Sequence, residues 1–307
     1  MEDLTIRLAE ARDKAAVLAF CAHTWDWGDY ISEVWDEWLA DSSGRLLVAI
    51  LDDRPVAVEH MQMVAPGECW LEGMRVDPTV RGQGISRQLN EQAMREARGM
   101  GATIARLATR FDNVVAQRAL DSGGFRQVGT YIHYTAPAEQ LRGAPLPMVA
   151  DEKELPALLA FLDRSNVFPA TGGLMYVDWG DRTRALTSEV LQERLASGQV
   201  FTLSQWDDFQ AIAICGLQDT DEQVLLVEYI DGTSEGIGRM AYGLRELAAK
   251  RGLEQVAITL PNLLMLRDAL EGTGYQTEDA GFFLVYQRQL DEDEERSALS
   301  VAPGSPG

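Results

Sequence analysis

The chain has 307 residues, the length of about two average domains. Hydrophobic residues make up 46% of it and charged residues 24%, an ordinary globular composition that excludes wholesale disorder and collagen-like repeats. The formal net charge of -21 makes nucleic acid a poor partner and suits a cationic small molecule or a basic peptide. An acidic surface that serves only solubility is the alternative.

Export, membrane insertion and metal binding find no support in the sequence. No apolar run approaches the roughly 18 residues that a membrane span needs, and the first residues lack the basic and apolar regions of a signal peptide. Cys21, Cys69 and Cys215 are too few and too scattered for a disulfide framework or a zinc site. We therefore expect a cytoplasmic protein, a monomer or homodimer, with no metal and no membrane partner.

The hydrophobic pattern of the first half predicts the element order β-α-α-β-β-β-α-β-α-β. An antiparallel meander comes first, and the βαβ piece after it should cross over right-handed. The predicted elements are a strand at 5–8, helices from about 13 and at 30–40, strands at 45–51, 55–64 and 69–76, a helix from the glycine-rich turn to about 99, a strand at 103–109, a helix at 114–122 and a strand at 125–134.

The two halves of the chain share short sequence matches. Asp26-Trp27-Gly28-Asp29 returns unchanged at 178–181, and Ser32-Glu33-Val34 returns at 188–190. Several such matches in the same order indicate a duplicated domain. We predict domains at 1–142 and 143–289, with a seam in the proline-rich stretch 136–147. The acidic segment 290–307 is predicted to be a disordered tail.

A glycine-rich turn stands between a predicted strand and a predicted helix, with the sequence Arg81-Gly82-Gln83-Gly84-Ile85-Ser86. Free backbone N–H groups converge at such a turn and, with the helix dipole, can hold a pyrophosphate. Gly82 and Gly84 permit positive φ and a close approach of phosphate, and Arg81 adds positive charge. The turn is neither a Walker loop nor a Rossmann fingerprint. On its own, Gly-x-Gly before a helix is as typical of a purely structural turn as of a phosphate-binding one.

This turn resembles the acetyl-CoA loop of the GCN5-related N-acetyltransferase (GNAT) family, Arg/Gln-x-x-Gly-x-Gly/Ala, with Ser86 in the final position. A second family element is matched by Asn113, Ala116, Gly124 and Phe125. Through the duplication the resemblance reaches about residue 288. It implies an α/β (α+β) fold of two tandem GNAT-like domains. Each would have a mixed, mostly antiparallel twisted sheet flanked by helices, with a splayed pair of central strands.

The resemblance implies that acetyl-CoA binds in a split between the strands at 69–76 and 103–109. Pantetheine would pair with the backbone of the first of these strands, and the pyrophosphate would lie on the glycine-rich turn. Asn113 would meet the pantetheine or the far end of the cofactor. The implied cofactor-binding residues are Met74, Arg75, Val76, Arg81, Gly82, Gln83, Gly84, Ile85, Ser86 and Asn113.

The catalytic base is expected at Glu72. Leu71-Glu72-Gly73 resembles an element of aminoglycoside 6′-N-acetyltransferases, whose matching Glu is the proposed base or amine anchor. Amide formation needs a neutral amine, and an ordinary primary amine has a pKa of about 10.4, so its proton must be removed. A strand carboxylate that is solvated or paired with Arg75 is the alternative.

The proton donor for the departing thiolate is less evident. Many family members use a tyrosine seven residues after the Asn, and here that position is Leu120. Tyr131 is our candidate substitute, with His133 and Tyr134 on the same predicted strand. Packing or surface roles are the alternative for all three, and solvent is another source of the proton.

The acceptor site of the family lies between the first two helices. Aromatic rings and carboxylates attract ammonium groups, and this segment supplies both. The candidate substrate-binding residues are Trp25, Asp26, Trp27, Asp29 and Tyr30. Because the same tetrapeptide recurs in the second half, a structural turn shared by both copies is the alternative.

The second copy is predicted to be degenerate. In its corresponding loop, 229–239, no Arg or Gln opens the motif, and Asp231 and Glu235 bring negative charge to the place of the pyrophosphate. We therefore predict that the first copy transfers acetyl from acetyl-CoA to a primary amine by direct attack. The acceptor would be a cationic small molecule, aminoglycoside- or polyamine-like. The alternatives are an acyl-CoA-binding sensor without turnover and a tandem acetyltransferase similar to mycothiol synthase. In mycothiol synthase the C-terminal copy is the catalytic one, whereas the better motif of this chain is N-terminal, which counts against that alternative.

Overall fold

The computed structural model describes residues 4–22, 24, 28–177, 182–206, 208–216, 223–277 and 281–290. Its strands are β1 (Thr5–Leu8), β2 (Gly44–Leu51), β3 (Arg54–Ala65), β4 (Glu68–Val76), β5 (Ile104–Arg110), β6 (Arg126–Pro137), β7 (Met148–Val149), β8 (Leu174–Tyr176), β9 (Thr183–Ala185), β10 (Val200–Gln205), β11 (Asp208–Gly216), β12 (Val224–Gly232), β13 (Gln255–Pro261) and β14 (Phe283–Gln289). Its α-helices are α1 (Lys14–Cys21), α2 (Ile31–Ala40), α3 (Ile85–Gly99), α4 (Val114–Ser122), α5 (Leu155–Leu162), α6 (Val167–Ala170), α7 (Ser188–Ala196), α8 (Ser234–Lys250) and α9 (Leu264–Glu271).

The chain forms two compact units. Unit 1 consists of Met1–Leu107, Ala119–Arg126 and the segment from Gln287 on, and unit 2 consists of Ala108–Arg118 and Gln127–Tyr286. The predicted mixed α/β class and the predicted elements of the first half are confirmed, with ends that differ by only a few residues. The periodic pattern and the glycine punctuation of that half are strong enough to define its elements without tertiary information.

In unit 1 the strands follow the order β1-β2-β3-β4-β5-β14, antiparallel through β4 and parallel between β4 and β5. Asp52 and Asp53, both with positive φ, make the tight turn between β2 and β3. α1 and α2 cover one face of this sheet, where Trp35 and Trp38 are buried. α3 packs against β2, β3 and β4 and buries one apolar stripe.

A β-bulge interrupts β4 near its end. Glu72 lies opposite His60 and Arg75 lies opposite Val58, so the register assigns no partner on β3 to Gly73 or to the residue after it. Gly73 has a φ of 70°, and a Cβ there would lie 2.6 Å from the Trp38 ring. Only glycine combines this backbone conformation with such a close approach of α2.

The splayed pair of central strands is confirmed. The parallel register of β4 and β5 runs from Glu68↔Ile104 to Trp70↔Arg106 and then ends, although β4 continues to Val76. The backbone of the second half of β4 therefore faces a split on this side instead of a neighbouring strand.

In unit 2 the strands follow the order β14-β6-β13-β12-β11-β10-β7, with β12 and β13 parallel. α8 packs on one face of the sheet and is the main helix of its core, while α5 and α7 belong to a second apolar cluster. β8 and β9 form a small separate sheet.

The division into units differs from the predicted domain boundary at 142/143. β6, predicted to close the first domain, lies in unit 2 and pairs with β13. In unit 1 the segment from Gln287 takes part instead: Gln287 accepts a hydrogen bond from Arg106 at 2.8 Å, and the Leu290 N–H donates to Thr103. A hydrophobic pattern predicts a strand but not the sheet that it joins. Leu290 is buried, and the rest of the predicted tail lies outside the described residues.

The described part of the chain has neither a membrane-spanning helix nor a cluster of metal-ligating side chains. No helix there is long and apolar enough to cross a membrane. No group of three or more His, Cys, Asp or Glu side chains there is arranged to hold a metal ion.

Candidate active site

The loop after β4 is held by a capped turn. The Asp77 carboxylate accepts hydrogen bonds from the Thr79 N–H at 2.9 Å and from the Thr79 hydroxyl at 2.7 Å, and Arg54 lies 3.0 Å from its second oxygen. The Thr79 N–H first, and the hydroxyl and Arg54 with it, hold the pKa of Asp77 below its ordinary value. The Arg81 guanidinium donates to the Val76 carbonyl at 3.1 Å, which anchors its stem beside the turn.

The glycine-rich turn leads directly into α3. Gly82 and Gly84 have φ values of 78° and 77°, and Gly84 is the N-cap of the helix. The first N–H groups of an α-helix have no acceptor within the helix, and a glycine cap supplies no side-chain oxygen for them. A Cβ added at either glycine would meet nothing within 4 Å. These glycines are therefore required for their φ, and they leave the N–H groups of the turn accessible to an anion.

These features fit a pyrophosphate and its pantetheine arm. The turn presents a helix N-terminus, accessible backbone and the neighbouring Arg81 side chain. The adjoining half of β4, which includes Met74, Arg75 and Val76, faces the split from β5. The predicted cofactor residues from Met74 to Ser86 thus occupy one continuous stretch of unit 1.

Glu72 lies where β4 leaves β5, and its side chain is 13% exposed. Its Oε1 is 2.9 Å from Nδ1 of His60, a ring with no exposed surface that stacks on Trp38. The predicted alternative, a pair between Glu72 and Arg75, is not what the structure has. Arg75 donates to Asp29 at 2.6 and 3.3 Å, and its guanidinium lies 5.3 Å from the centre of the Tyr30 ring.

Two of the predicted acceptor residues can be located, and both belong to this cluster. The Asp29 carboxylate, 2% exposed, is bound by Arg75, and the Tyr30 ring meets Trp38 edge to face. Burial raises the pKa of Tyr30, and the nearby Glu72 carboxylate adds to the rise, so its hydroxyl stays protonated at neutral pH. The other predicted residues, Trp25, Asp26 and Trp27, lie outside the described residues.

The structure places two predicted site residues in unit 2. Asn113 is exposed, and its Oδ1 accepts a hydrogen bond from the Ala116 N–H at 3.2 Å, as a helix cap does. Tyr131 is 1% exposed, and its hydroxyl donates to the Thr171 carbonyl at 2.8 Å. Neither set of contacts gives support to the predicted catalytic role of Tyr131 or the cofactor role of Asn113.

The three cysteines are not set up as nucleophiles. All three cysteines are buried and free. Burial raises the pKa of Cys21 and of Cys69 to about 12, and burial also raises the pKa of Cys215. Neutral thiols are poor nucleophiles, so none of the three is set up to carry an acyl group.

In unit 2 the corresponding connection, from β12 to α8, differs from the glycine-rich turn between β4 and α3. Only Thr233 separates β12 from α8, and its hydroxyl caps the helix by accepting from the Gly236 N–H at 3.0 Å. A Cβ on Gly236 would lie 2.1 Å from the Gln210 carbonyl, so β11 packs against this helix end. Asp231 does not point to a phosphate position as predicted: it is 1% exposed and accepts hydrogen bonds from Ser165 and Tyr229.

The split of unit 2 is filled by side chains. The register of β12 and β13 ends at Val227↔Ile258. The space beyond is a cavity of about 10 Å³, room for about one water molecule, lined by Tyr131, Tyr176 and Tyr229 among others. A pantetheine arm does not fit there.

The comparison with protein families decides the identity of the first half. Residues 13–125 match the model of the Acetyltransferase (GNAT) family. The chain carries a GNAT acetyltransferase domain. The enzyme class that this gives is an acyl-CoA-dependent N-acetyltransferase, and acetyl-CoA is the cofactor of the family.

Solved GNAT structures resemble the chain over both units. A candidate acetyltransferase from Thermoplasma acidophilum has a TM-score of 0.56 at 17% identity, over 93% of this chain and 99% of its own. A GCN5-related N-acetyltransferase from Sphaerobacter thermophilus has a TM-score of 0.60 at 13% identity, over 94% and 96%. A fungal glucosamine N-acetyltransferase region has a TM-score of 0.58 at 15% identity, over 93% of this chain and 38% of its own. Identities this low show a shared fold. Among curated proteins, none matches the chain.

Two residues behind Glu72 were missed: His60, its cross-strand partner, and Asp41, which lies on the far side of the His60 ring. His60 appears in the sequence as an isolated histidine in a strand, and Asp41 as a polar residue at the end of α2. The available signal was the hairpin: pairing β3 with β4 in the observed register brings position 60 opposite position 72.

Proposed function

We propose that the GNAT domain transfers an acetyl group from acetyl-CoA to a primary amine of a cationic small molecule, aminoglycoside- or polyamine-like. The observation that carries the proposal is the position of Glu72, a partly exposed carboxylate on β4 between the split and the bulge. Acetyl-CoA supplies the acetyl group as a thioester. The backbone of β4 from Met74 to Val76 and the turn from Arg81 to Ser86 would hold it.

Glu72 would act as the base. It takes a proton from the incoming ammonium group, which frees the nitrogen lone pair for direct attack. The buried thiols argue for direct attack, because no neutral cysteine competes as an acyl carrier. The N–H of Met74, in the bulge and without a cross-strand partner in the register, is our candidate donor to the developing oxyanion.

The acceptor would lie against Glu72 and the rings of Tyr30 and Trp38. Asp29 is neutralised by Arg75, so of these two described carboxylates Glu72 is the one that can attract an ammonium group. The net charge of -21 favours approach of a cation. The roles of Trp25, Asp26 and Trp27 stay predictions, as does a cytoplasmic location.

We expect solvent to protonate the departing thiolate. Leu120, at the position of the usual tyrosine, is 8% exposed and has no proton to give. The Tyr131 hydroxyl donates to a backbone carbonyl, which argues against the role that the sequence predicted for it. A simple thiol has a pKa of about 8.5, so water can supply the proton near neutral pH.

Replacement of Glu72 tests the proposal. Glu72→Gln should lower kcat by about 10² to 10⁴-fold, because an amide cannot take the proton. The Kd of acetyl-CoA should stay within about twofold by calorimetry, because the pyrophosphate turn is untouched. Turnover is followed as free thiol with a panel of spermidine, an aminoglycoside and glucosamine. Asp36→Asn, which removes an exposed carboxylate of α2, is the matched control. Full activity of Glu72→Gln would contradict the assignment of the base.

The buried Leu120 favours a second candidate, an acyl-CoA-binding sensor without turnover. Saturable binding of acetyl-CoA with no thiol release from any amine would support the sensor. A role like that of mycothiol synthase is less well supported. In unit 2 the N-terminus of α8 is capped by Thr233, and side chains fill the space between β12 and β13.

A further inference from the structure

A buried imidazole stands directly behind the proposed base. His60 and Glu72 are cross-strand partners, and Nδ1 of His60 is 2.9 Å from Oε1 of Glu72. The ring has no exposed surface, and it stacks on Trp38 with ring centres 4.6 Å apart and planes at 10°. The position and tilt of the imidazole are therefore fixed by α2 and by the strand register.

The second ring nitrogen faces another carboxylate. Nε2 of His60 is 3.6 Å from Oδ2 of Asp41, and these two buried atoms have no hydrogen-bond partner among the described residues. The other oxygen of Asp41 accepts from the N–H and the hydroxyl of Ser43, at 2.8 and 2.7 Å. A Cβ on Gly44 would lie 2.5 Å from Asp41 Oδ2 and 2.6 Å from His60 Nε2. Gly44 thus permits this close approach of Asp41 to the ring.

We propose that His60 is a positioning residue for Glu72, an inference that rests on the proposed role of Glu72 as the base. The Nδ1–H donates to Oε1 and orients the carboxylate, which leaves Oε2 to take the proton of the amine. In that step an N–H bond of the ammonium group breaks, an O–H bond forms on Glu72, and His60 keeps its own proton. Solvent takes the proton from Glu72 after turnover. A displacement of a catalytic group by about 1 Å can cost about 10²-fold in rate, so such a support matters.

Two substitutions distinguish the role of Nδ1 of His60 from that of Nε2. The amide of Asn reaches the position of Nδ1, and the longer Gln amide reaches that of Nε2. His60→Asn should keep kcat within about threefold of the wild type, because a donor to Glu72 remains. His60→Gln should lower kcat by about 10 to 10²-fold, with the KM of acetyl-CoA unchanged, because the donor to Oε1 is lost.

A double-mutant cycle distinguishes positioning from general destabilisation. If His60 acts through Glu72, the variant with both Glu72→Gln and His60→Gln is no slower than Glu72→Gln alone. Asp13→Asn, which weakens a buried ion pair elsewhere in unit 1, is the control: it should lower Tm and leave kcat unchanged. Losses that add in the double variant, or equal losses in His60→Asn and His60→Gln, would overturn the inference.

The outcomes also separate this inference from the proposed function. Full activity of Glu72→Gln removes the base and His60's role with it. A slow Glu72→Gln variant beside a fully active His60→Gln variant overturns the inference alone. Should the His60 variants fail to fold, nitrogen NMR of the whole protein decides. A proton on Nδ1 of His60 whose resonance moves in Glu72→Gln supports the inference, and a ring without a proton on Nδ1 overturns it.

Discussion

Glu59 is a buried carboxyl group that the proposed chemistry does not use. It lies on β3 opposite the bulge of β4 and is 1% exposed, and within the described part of the chain one of its buried oxygens has no hydrogen-bond partner. Burial raises the pKa of Glu59 well above its ordinary value. The folded protein therefore binds a proton here at pH values where the unfolded chain has released it. The contribution of Glu59 to stability should therefore be least unfavourable below the ordinary glutamate pKa of about 4.3 and become more unfavourable as pH rises toward the raised pKa. Asp13 and Asp77, whose pKa values are lowered, act oppositely at more acid pH.

Glu59→Gln should remove this loss of stability. At about pH 4 the variant and the wild type should unfold at similar urea concentrations, because the wild-type carboxyl is mostly protonated there in both the folded and the unfolded chain. At about pH 8 the variant should be more stable by about 1 kcal/mol or more, because it spares the folded state a buried charge. Urea unfolding at both pH values gives the comparison, with the exposed Glu33→Gln as control. An equal difference at both pH values would contradict the raised pKa.

The glycine-rich turn before α3 can be tested through the affinity of the chain for acetyl-CoA. Arg81→Glu should weaken acetyl-CoA binding by about tenfold or more, because it places a like charge beside the pyrophosphate. Gly84→Val should weaken it as well, because a β-branched residue resists a φ of 77°. Glu235→Arg, the matched change at the start of α8, should leave the affinity unchanged. Calorimetry on the whole chain measures all three. The reverse pattern would move the cofactor site to unit 2.

The elements and the turn could be predicted from the sequence because their signals are local. Hydrophobic period, the glycines and the aspartates of the β2–β3 turn are properties of neighbouring residues. The hydrogen-bond partners of the site side chains could not be predicted from the sequence, because they depend on the register between β3 and β4. In a regular strand Glu72 and Arg75 would point to opposite faces, and the bulge returns both to one face. The choice of Asp29 for Arg75 and of His60 for Glu72 then follows from how α2 and β3 pack, which no local pattern contains.

At the scale of the whole molecule, the units do not coincide with the sequence repeat. Unit 1 takes its last strand segment from the end of the chain, where Arg288 donates to Glu91 and to the Gly123 carbonyl, both at 2.9 Å. Gln287 and Leu290 are hydrogen-bonded within the same unit. The repeat is a similarity within the sequence, whereas the units describe which segments pack together.

Truncation separates these two descriptions. A fragment of residues 1–142 keeps the whole first repeat but lacks the segment from Gln287, so Arg106 loses its hydrogen bond to Gln287 and Glu91 loses its ion pair with Arg288. We expect this fragment to show no cooperative thermal transition near the Tm of the full chain, because unpaired strand edges and buried charges each cost about 1 to 3 kcal/mol. Residues 1–290, which lack only the acidic terminus, should melt like the full chain. Arg288→Ala in the full chain should lower Tm by a few degrees. A fragment of 1–142 that melts cooperatively at the full-chain Tm would show that the first repeat folds alone, and that the C-terminal segment is dispensable to it.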